Sequence, residues 1–142
     1  MKLEDVIRSK GNSVVTIAPS ASMAELVSVM ADNNIGAVVV SADGRHIAGI
    51  ISERDVVRGL AGSGHGLLES TVADLMTGDV VVGHLEDRIE DTAHTMTHRR
   101  VRHIPIERDG ELAAIVSIGD VVKYRIDQLT DERNHLLGYL HT

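Results

Sequence analysis

Two short stretches carry the residue types and spacing that could do chemistry: Gly49-Ile50-Ile51-Ser52-Glu53-Arg54-Asp55 and Ala114-Ile115-Val116-Ser117-Ile118-Gly119-Asp120. Each sets a hydroxyl three residues ahead of a carboxylate, after an apolar run that reads as a buried strand and at the opening of a helical pattern. A strand-to-helix corner of this kind presents backbone N–H groups that have no intrahelical partner, and the helix dipole favours negative charge there, so it suits a phosphate. The hydroxyl can add a hydrogen bond to an anion, and the carboxylate can accept one from a sugar hydroxyl. Two such corners would make two nucleotide half-sites. The same spacing is that of a capping box, in which Ser caps the helix and Asp reaches back to the cap N–H. Locally both readings stand. What favours a ligand is repetition, since Ser117 follows Ser52 by 65 positions and the agreement continues upstream.

The corners need elements to hold them, and the chain writes the same set twice. Residues 3–8 read as a short leading helix ended by Ser9-Lys10-Gly11-Asn12, and residues 14–17 as a first strand. Ser22-Met23-Ala24-Glu25 has capping-box spacing and opens a helix with Met23, Leu26, Val27 and Met30 on one face, closed at Asn33-Asn34. Residues 36–40 read as a buried strand, Ala42-Asp43-Gly44-Arg45 as a hairpin turn, residues 47–51 as the strand feeding the first corner, and residues 55–60 as the helix beyond it.

The order then returns. Val72-Ala73-Asp74-Leu75-Met76 echoes Glu4-Asp5-Val6-Ile7, residues 80–82 match the first strand, and Asp87-Arg88-Ile89-Glu90 is again a capping box. Met96 stands 66 positions after Met30, residues 101–106 match 35–40, Arg108-Asp109-Gly110-Glu111 is the matching turn, and residues 112–116 lead into the second corner. Between the copies lies Ala61-Gly62-Ser63-Gly64-His65-Gly66, rich in glycine and aperiodic, which reads as a linker. It is not a phosphate-binding loop, because no Gly-Lys-Ser/Thr follows and no buried strand precedes. The expected boundaries are repeat one over 1–62, linker 63–70, repeat two over 71–125 and a helical tail over 126–142. A unit of about sixty residues has little core of its own, so the two are expected to pack as one module.

Composition narrows the chemistry. The 142 residues include no Phe or Trp and only Tyr124 and Tyr139, so a bound base would meet Val, Ile, Leu, Met and Ala rather than an aromatic stacking platform. Fourteen Lys and Arg against 21 Asp and Glu give a net charge of −7, which opposes a nucleic-acid partner. The absence of Cys removes disulfides, thiolate metal sites and thiol nucleophiles together. No signal peptide or membrane span is visible, so a cytoplasmic location is expected.

Other constellations are weaker. His94 and His98 are four apart and could share a helix face as metal ligands do, but no third ligand stands at a convincing spacing. A hydrolase would need an activated nucleophile with a base, and no glycine-flanked nucleophile elbow is present. Arg54, Arg58, Arg99, Arg100, Arg102 and Lys123 fall near the corners, where they either focus positive potential on an anionic ligand or form an ordinary solvated face.

With the repeat in place, the chain resembles the tandem cystathionine β-synthase (CBS) domain pair, or Bateman module, of the stand-alone bacterial type. The resemblance rests on Gly49-Ile-Ile-Ser-Glu-Arg-Asp55, on Val101-Arg-His-Ile-Pro-Ile106, on Asp74-Leu-Met-Thr77 and on the repeat period, and covers residues 3–125. It implies a mixed α+β fold of two βαββα repeats packed as a pseudo-two-fold module with a long C-terminal helix. It also implies a binding module for AMP, ADP, ATP, NAD(H) or S-adenosylmethionine in clefts between the repeats. Carried over by position, Ser52 and Ser117 would face phosphate, with Arg54 beside the first, and Asp55 and Asp120 would hold ribose hydroxyls. The backbone at Val14, Thr16, Val80 and Val82 would border adenine, while Ala37, Val38, Arg102, His103, Ile104 and Pro105 would line base and sugar. The resemblance makes Arg102-His103 against Gly36-Ala37 an informative asymmetry, and the Ser117 site the expected better one. Two departures stand out: Ala114 where the first corner has Gly49, and Val82 where the first strand has Thr16.

Residues 119–139 contain no Pro and read as one long helix. Val122, Ile126, Leu129, Leu136 and Leu140 fall at alternating fours and threes, with Arg133 in the missing place, which is an interaction stripe of coiled-coil type. The stripe either folds back on its own domain or meets a second copy, and a homodimer is expected. The sequence therefore reads as a regulatory, non-enzymatic sensor of an adenosine-containing ligand that requires no cofactor or metal. The alternatives are a dimerisation module with empty clefts, or a regulatory subunit of a separate enzyme such as an inosine-monophosphate dehydrogenase-like protein.

Overall fold

The computed structural model describes residues 1–11 and 13–141, and its contacts gather into two compact units. One, holding the Ser52 corner, comprises Ser13–Val81 with Arg108–Ala113; the other, holding the Ser117 corner, comprises Met1–Asn12, Val82–Glu107 and Ala114–Thr142. The fold is mixed α+β, with two three-stranded sheets and a long C-terminal helix.

In the Ser52 unit, β1 (Thr16–Ile17) pairs in parallel with β2 (Ala37–Val40), which pairs antiparallel with β3 (Gly49–Ser52). The expected strand over 14–17 shrinks to its last two residues, because the ladder with β2 starts at Thr16↔Val39. Helix α2 (Met23–Asn33) starts where the Ser22 hydroxyl accepts from the Glu25 N–H, and ends on Asn34 in the left-handed region at φ 53°. It lays Met23, Leu26 and Met30 on the sheet beside Ile17, Val38, Val40 and Ile51, each side chain there contributing about 1.5–3 kcal/mol through burial.

Helix α3 (Glu53–Ser63) runs past its expected end and leads into a 3-10 helix (Gly64–Glu69). The glycine-rich stretch read as a linker is therefore helical. The reason lies outside the stretch: Leu67 is buried in the core and packs where Gly59 has no side chain. Helix α4 (Val72–Leu75) follows, opened by a capping box between Thr71 and Asp74. Backbone bonds Met23 N–Ser70 O, Val72 N–Ala21 O and Ala73 N–Pro19 O tie it to the first repeat.

The Ser117 unit contains the leading helix α1 (Leu3–Lys10), whose Leu3 and Val6 are wholly buried. The second sheet has the order β4 (Gly83–His84), β5 (His103–Arg108) and β6 (Glu111–Ser117). The strand expected over 80–82 forms just beyond those residues, at Gly83–His84, since its parallel ladder runs Gly83↔Ile106 and His84↔Glu107. Asp109 (φ 53°) and Gly110 (φ 79°) form the two-residue turn between β5 and β6, the Asp-Gly pairing that such left-handed turns favour.

Helix α5 (Ile89–Arg99) lacks the capping box expected at Asp87. Asp87 instead accepts from the His84 N–H at 2.9 Å. Arg88 takes the cap position, and the Ile89 N–H donates to the Met1 carbonyl. Helix α6 (Ile118–Leu140) buries Val121 and sets Arg125 3.3 Å from Glu90 at the start of α5.

Candidate functional site

Both Ser-x-x-Asp corners form where the sequence places them, and both are capping boxes. At the first, Asp55 Oδ2 accepts from the Ser52 N–H at 2.8 Å and from its hydroxyl at 3.2 Å. At the second, Asp120 Oδ2 accepts from the Ser117 N–H at 2.9 Å, and the Ser117 hydroxyl accepts from the Asp120 N–H at 3.1 Å. The first helical N–H is also taken in each corner: Glu53 N–H donates to Gly36 O and Ile118 N–H to Arg102 O. Several of the helix-terminal donors that could meet a phosphate are thus satisfied within the chain, and the reactive geometry concentrates on the two carboxylates.

The sites differ in their surroundings. In the Ser52 unit the antiparallel register sets Ala37 opposite Ser52 and Val38 opposite Ile51. Val38 is wholly buried in the core, and Val14, Thr16 and Val80 are half-buried. Arg54 points to solvent. Met76 and Thr77 crowd Gly49: a side-chain carbon there would lie 2.7 Å from the Met76 sulfur and from the Thr77 carbonyl, and Ile50 exchanges two backbone bonds with Thr77. Glycine is required there by close backbone approach.

In the Ser117 unit Arg102 is exposed and His103 half-buried at the start of β5, while Ile104 and Pro105 are buried and Val82 is half-buried. Lys10, at the end of α1, is the residue that sequence reasoning did not assign to the site. Its ammonium lies 2.5 Å from Asp120 Oδ2 and donates to the Ile115 carbonyl at 2.9 Å. The signal was a basic residue closing the leading helix, but its partner stands 110 positions away. Burial acts to raise the Asp120 pKa, yet the hydrogen bonds from Lys10 and Ser117 outweigh it and hold the carboxyl below its ordinary value.

His94 and His98 stack face to face on α5 with centroids 6.3 Å apart, and among the described residues no three His, Asp or Glu side chains gather as a metal site. Neither is any helix among them long and apolar enough to cross a membrane. The tail stripe is open to solvent, with Val122 50%, Ile126 56%, Leu129 47%, Leu136 63% and Leu140 76% exposed, so it does not fold back on its own chain.

Comparison with known proteins gives this geometry a family. The model of the CBS domain matches twice, over residues 3–62 and 72–127. A CBS domain-containing protein of Arabidopsis thaliana, CBSX3, mitochondrial, is 32% identical over 97% of this chain and 71% of its own length. The crystal structure of the CBS-domain containing protein ATU1752 from Agrobacterium tumefaciens is similar at a TM-score of 0.85 and 41% identity, over 88% of this chain and 99% of that one. Two more distant structures share the fold. The CBS domain pair of protein MJ0100, in complex with 5-methylthioadenosine and S-adenosyl-L-methionine, has a TM-score of 0.79 at 19% identity, over 90% of this chain and 98% of that one. PAE2072 from Pyrobaculum aerophilum, complexed with AMP, has a TM-score of 0.75 at 20% identity, over 84% and 89%. Two family matches that take in both Ser-x-x-Asp corners settle the assignment: this chain belongs to the CBS domain family and carries two CBS domains.

Proposed function

We propose that this protein is a regulatory module, without catalysis of its own, that binds an adenosine-containing ligand at its Ser-x-x-Asp corners and passes occupancy on to a partner. The ligand is of the class AMP, ADP, ATP, NAD(H) or S-adenosylmethionine, and the Ser117 corner is the stronger site. The observation that carries the reading is the carboxylate pair Asp55 and Asp120. Each is oriented by the Ser N–H three residues before it, in a fold whose distant members are solved with AMP or with S-adenosyl-L-methionine and 5-methylthioadenosine. An oriented carboxylate is what a ribose diol requires of its host. The Ser117 corner ranks first because Arg102, His103 and Lys10 bring basic groups to its elements, where the Ser52 corner has Gly36, Ala37 and Met76. The serine hydroxyls are engaged with their own aspartates as caps, an arrangement for holding a helix start rather than for nucleophilic attack. The exposed stripe on α6 supports a second copy of the chain as a partner, joined helix to helix.

A thermal-shift panel with AMP, ADP, ATP, NAD, NADH and S-adenosylmethionine tests the reading, on the wild type, Asp55→Ala and Asp120→Ala. Circular dichroism serves as the probe, since the chain has no Trp. A ligand at a hundred times its Kd adds about 2.7 kcal/mol, which raises the midpoint by roughly 5–10 °C for a chain this size. The expected result is a shift for at least one ligand that Asp120→Ala removes and Asp55→Ala weakens less. No shift for any ligand would leave both corners as helix caps, and the protein as a module that works through protein contacts alone.

A further inference from the structure

The two repeats keep the same order of elements, with the corners 65 positions apart and the first two strands 66 apart, so their corners can be compared element by element. An offset of 66 brings Ile17 onto Gly83, Val40 onto Ile106, and the left-handed cap Asn34 onto Arg100. The leading helices correspond instead by their capping boxes, Lys2 with Asp5 and Thr71 with Asp74, and the residue that closes each, Lys10 at the end of α1 and Met76 after α4, lies against the strand that feeds the corner of its own unit. These two residues do opposite things. Met76 lays a neutral thioether over Gly49 in the Ser52 unit. Lys10 runs past the matching strand in the Ser117 unit, donates to Ile115 O at 2.9 Å and ends on Asp120 Oδ2 at 2.5 Å. The ion pair is partly shielded, the Lys10 side chain keeping 33% and the Asp120 side chain 20% of its exposure. The carboxylate of Asp120 that would hold a ribose is therefore already holding a cation, and among the described residues no ion pair forms at Asp55.

We propose that Lys10 is the specificity-determining residue of the Ser117 corner. It lies on Asp120 as an internal occupant, releases the carboxylate when a ribose arrives, and passes its ammonium to the phosphate of the incoming ligand. The proposal rests on the reading of this corner as an adenosine-ligand site. Its logic is competition between donors. A charged ammonium is a stronger donor to a carboxylate than a neutral hydroxyl, so a nucleoside without phosphate gains little by displacing Lys10 and leaves a half-shielded cation without its partner. A ligand that brings a phosphate offers the cation a new anion, and the long flexible stem of lysine, with three rotatable donors, can follow it. Phosphate-bearing adenosine ligands are thereby favoured over adenosine and over the cationic sulfonium of S-adenosylmethionine. The Ser52 corner, with a thioether in this place, makes no such distinction.

The test is equilibrium binding of AMP, adenosine and S-adenosylmethionine by calorimetry to the full chain carrying Asp55→Ala, so that the Ser117 corner is read alone. Lys10 is varied to Met, Gln and Arg in that background. The expected result is a preference for AMP over adenosine of about tenfold or more with Lys10, the scale of one charge-assisted hydrogen bond. Lys10→Met and Lys10→Gln should shrink that ratio to about threefold or less while tightening adenosine itself, and Lys10→Arg should keep it. Adenosine must tighten, because a purely structural role for Lys10 would weaken every ligand together. An unchanged ratio in a folded Lys10→Met or Lys10→Gln chain would overturn the proposal and leave the site intact. Loss of folding in both would make Lys10 a structural prop, which also overturns it. Failure of every ligand to bind the Lys10 chain would instead remove the site itself, and the proposal with it.

Discussion

At the scale of single residues, the feature that matters most is how Asp120 is held. Its carboxyl is kept below the ordinary carboxylate range although burial acts the other way, because Lys10 and the Ser117 N–H both favour the charged form. The consequence for stability has a definite sign. A group with a depressed folded-state pKa stabilises the protein above its unfolded value, about 4 for Asp, and that contribution is lost as pH falls through the folded value. Below about pH 4 the wild type should therefore lose stability more steeply than Asp120→Asn, which has no charge to lose. Urea midpoints at pH 7, 5 and 3.5 check this, and parallel acid limbs for the two chains would show that the pair contributes nothing to folding. The capping half of this arrangement is legible in the sequence, since Ser-x-x-Asp is a local spacing and Thr71 with Asp74 shows it a third time. The Lys10 half is not, because a contact across 110 residues is a product of the fold.

At the scale of elements, helices announce themselves by their caps and strands by their partners, which explains where sequence reading falls short. Helix α2 ends on Asn34 and helix α1 on Gly11, both visible as residues suited to helix ends. The first strand of each repeat is only two residues long because its limit is set by the facing strand, not by its own valines. The glycine-rich stretch shows no helical period of its own for a related reason: it is buried Leu67, beyond the glycines, that anchors it as a helical continuation. Helix α6 carries the testable case. Twenty-three residues span about 35 Å, and its apolar stripe is open to solvent over the second half, with Leu129 47% and Leu136 63% exposed. If that stripe joins two copies, Leu129→Glu with Leu136→Glu sets charges into an apolar seam and should convert a dimer to a monomer in sedimentation equilibrium while leaving the melting of circular dichroism nearly unchanged. A mass that stays dimeric would place the contact elsewhere on the molecule.

At the scale of the whole molecule, the units do not follow the repeat boundaries written in the sequence. The leading helix α1 belongs with the second repeat, tied by Leu3 N to Asp87 O and Glu4 N to Leu85 O, and α4 with the first. Each copy of the repeat thus completes the other's unit, a relation that periodicity cannot disclose because both copies have the same order of elements. It predicts that α1 is core rather than appendage. Removing residues 1–10 withdraws Leu3 and Val6, both wholly buried, at about 1.5–3 kcal/mol each, and also takes Leu3 away from Gly83, against which it packs. Against a total stability of roughly 5–15 kcal/mol such a loss is large. Urea unfolding followed by circular dichroism should show a midpoint well below that of the intact chain, and Leu3→Ala alone should cost about 2–5 kcal/mol. The single substitution separates two explanations. If the shortened chain is weakened and Leu3→Ala is not, the loss lies in the backbone bonds and the Lys10 pair; if both are weakened, apolar burial by α1 holds the Ser117 unit together. Burial is the expected answer, since Leu3 and Val6 face the interior one turn apart while the backbone bonds sit at the helix's first turn.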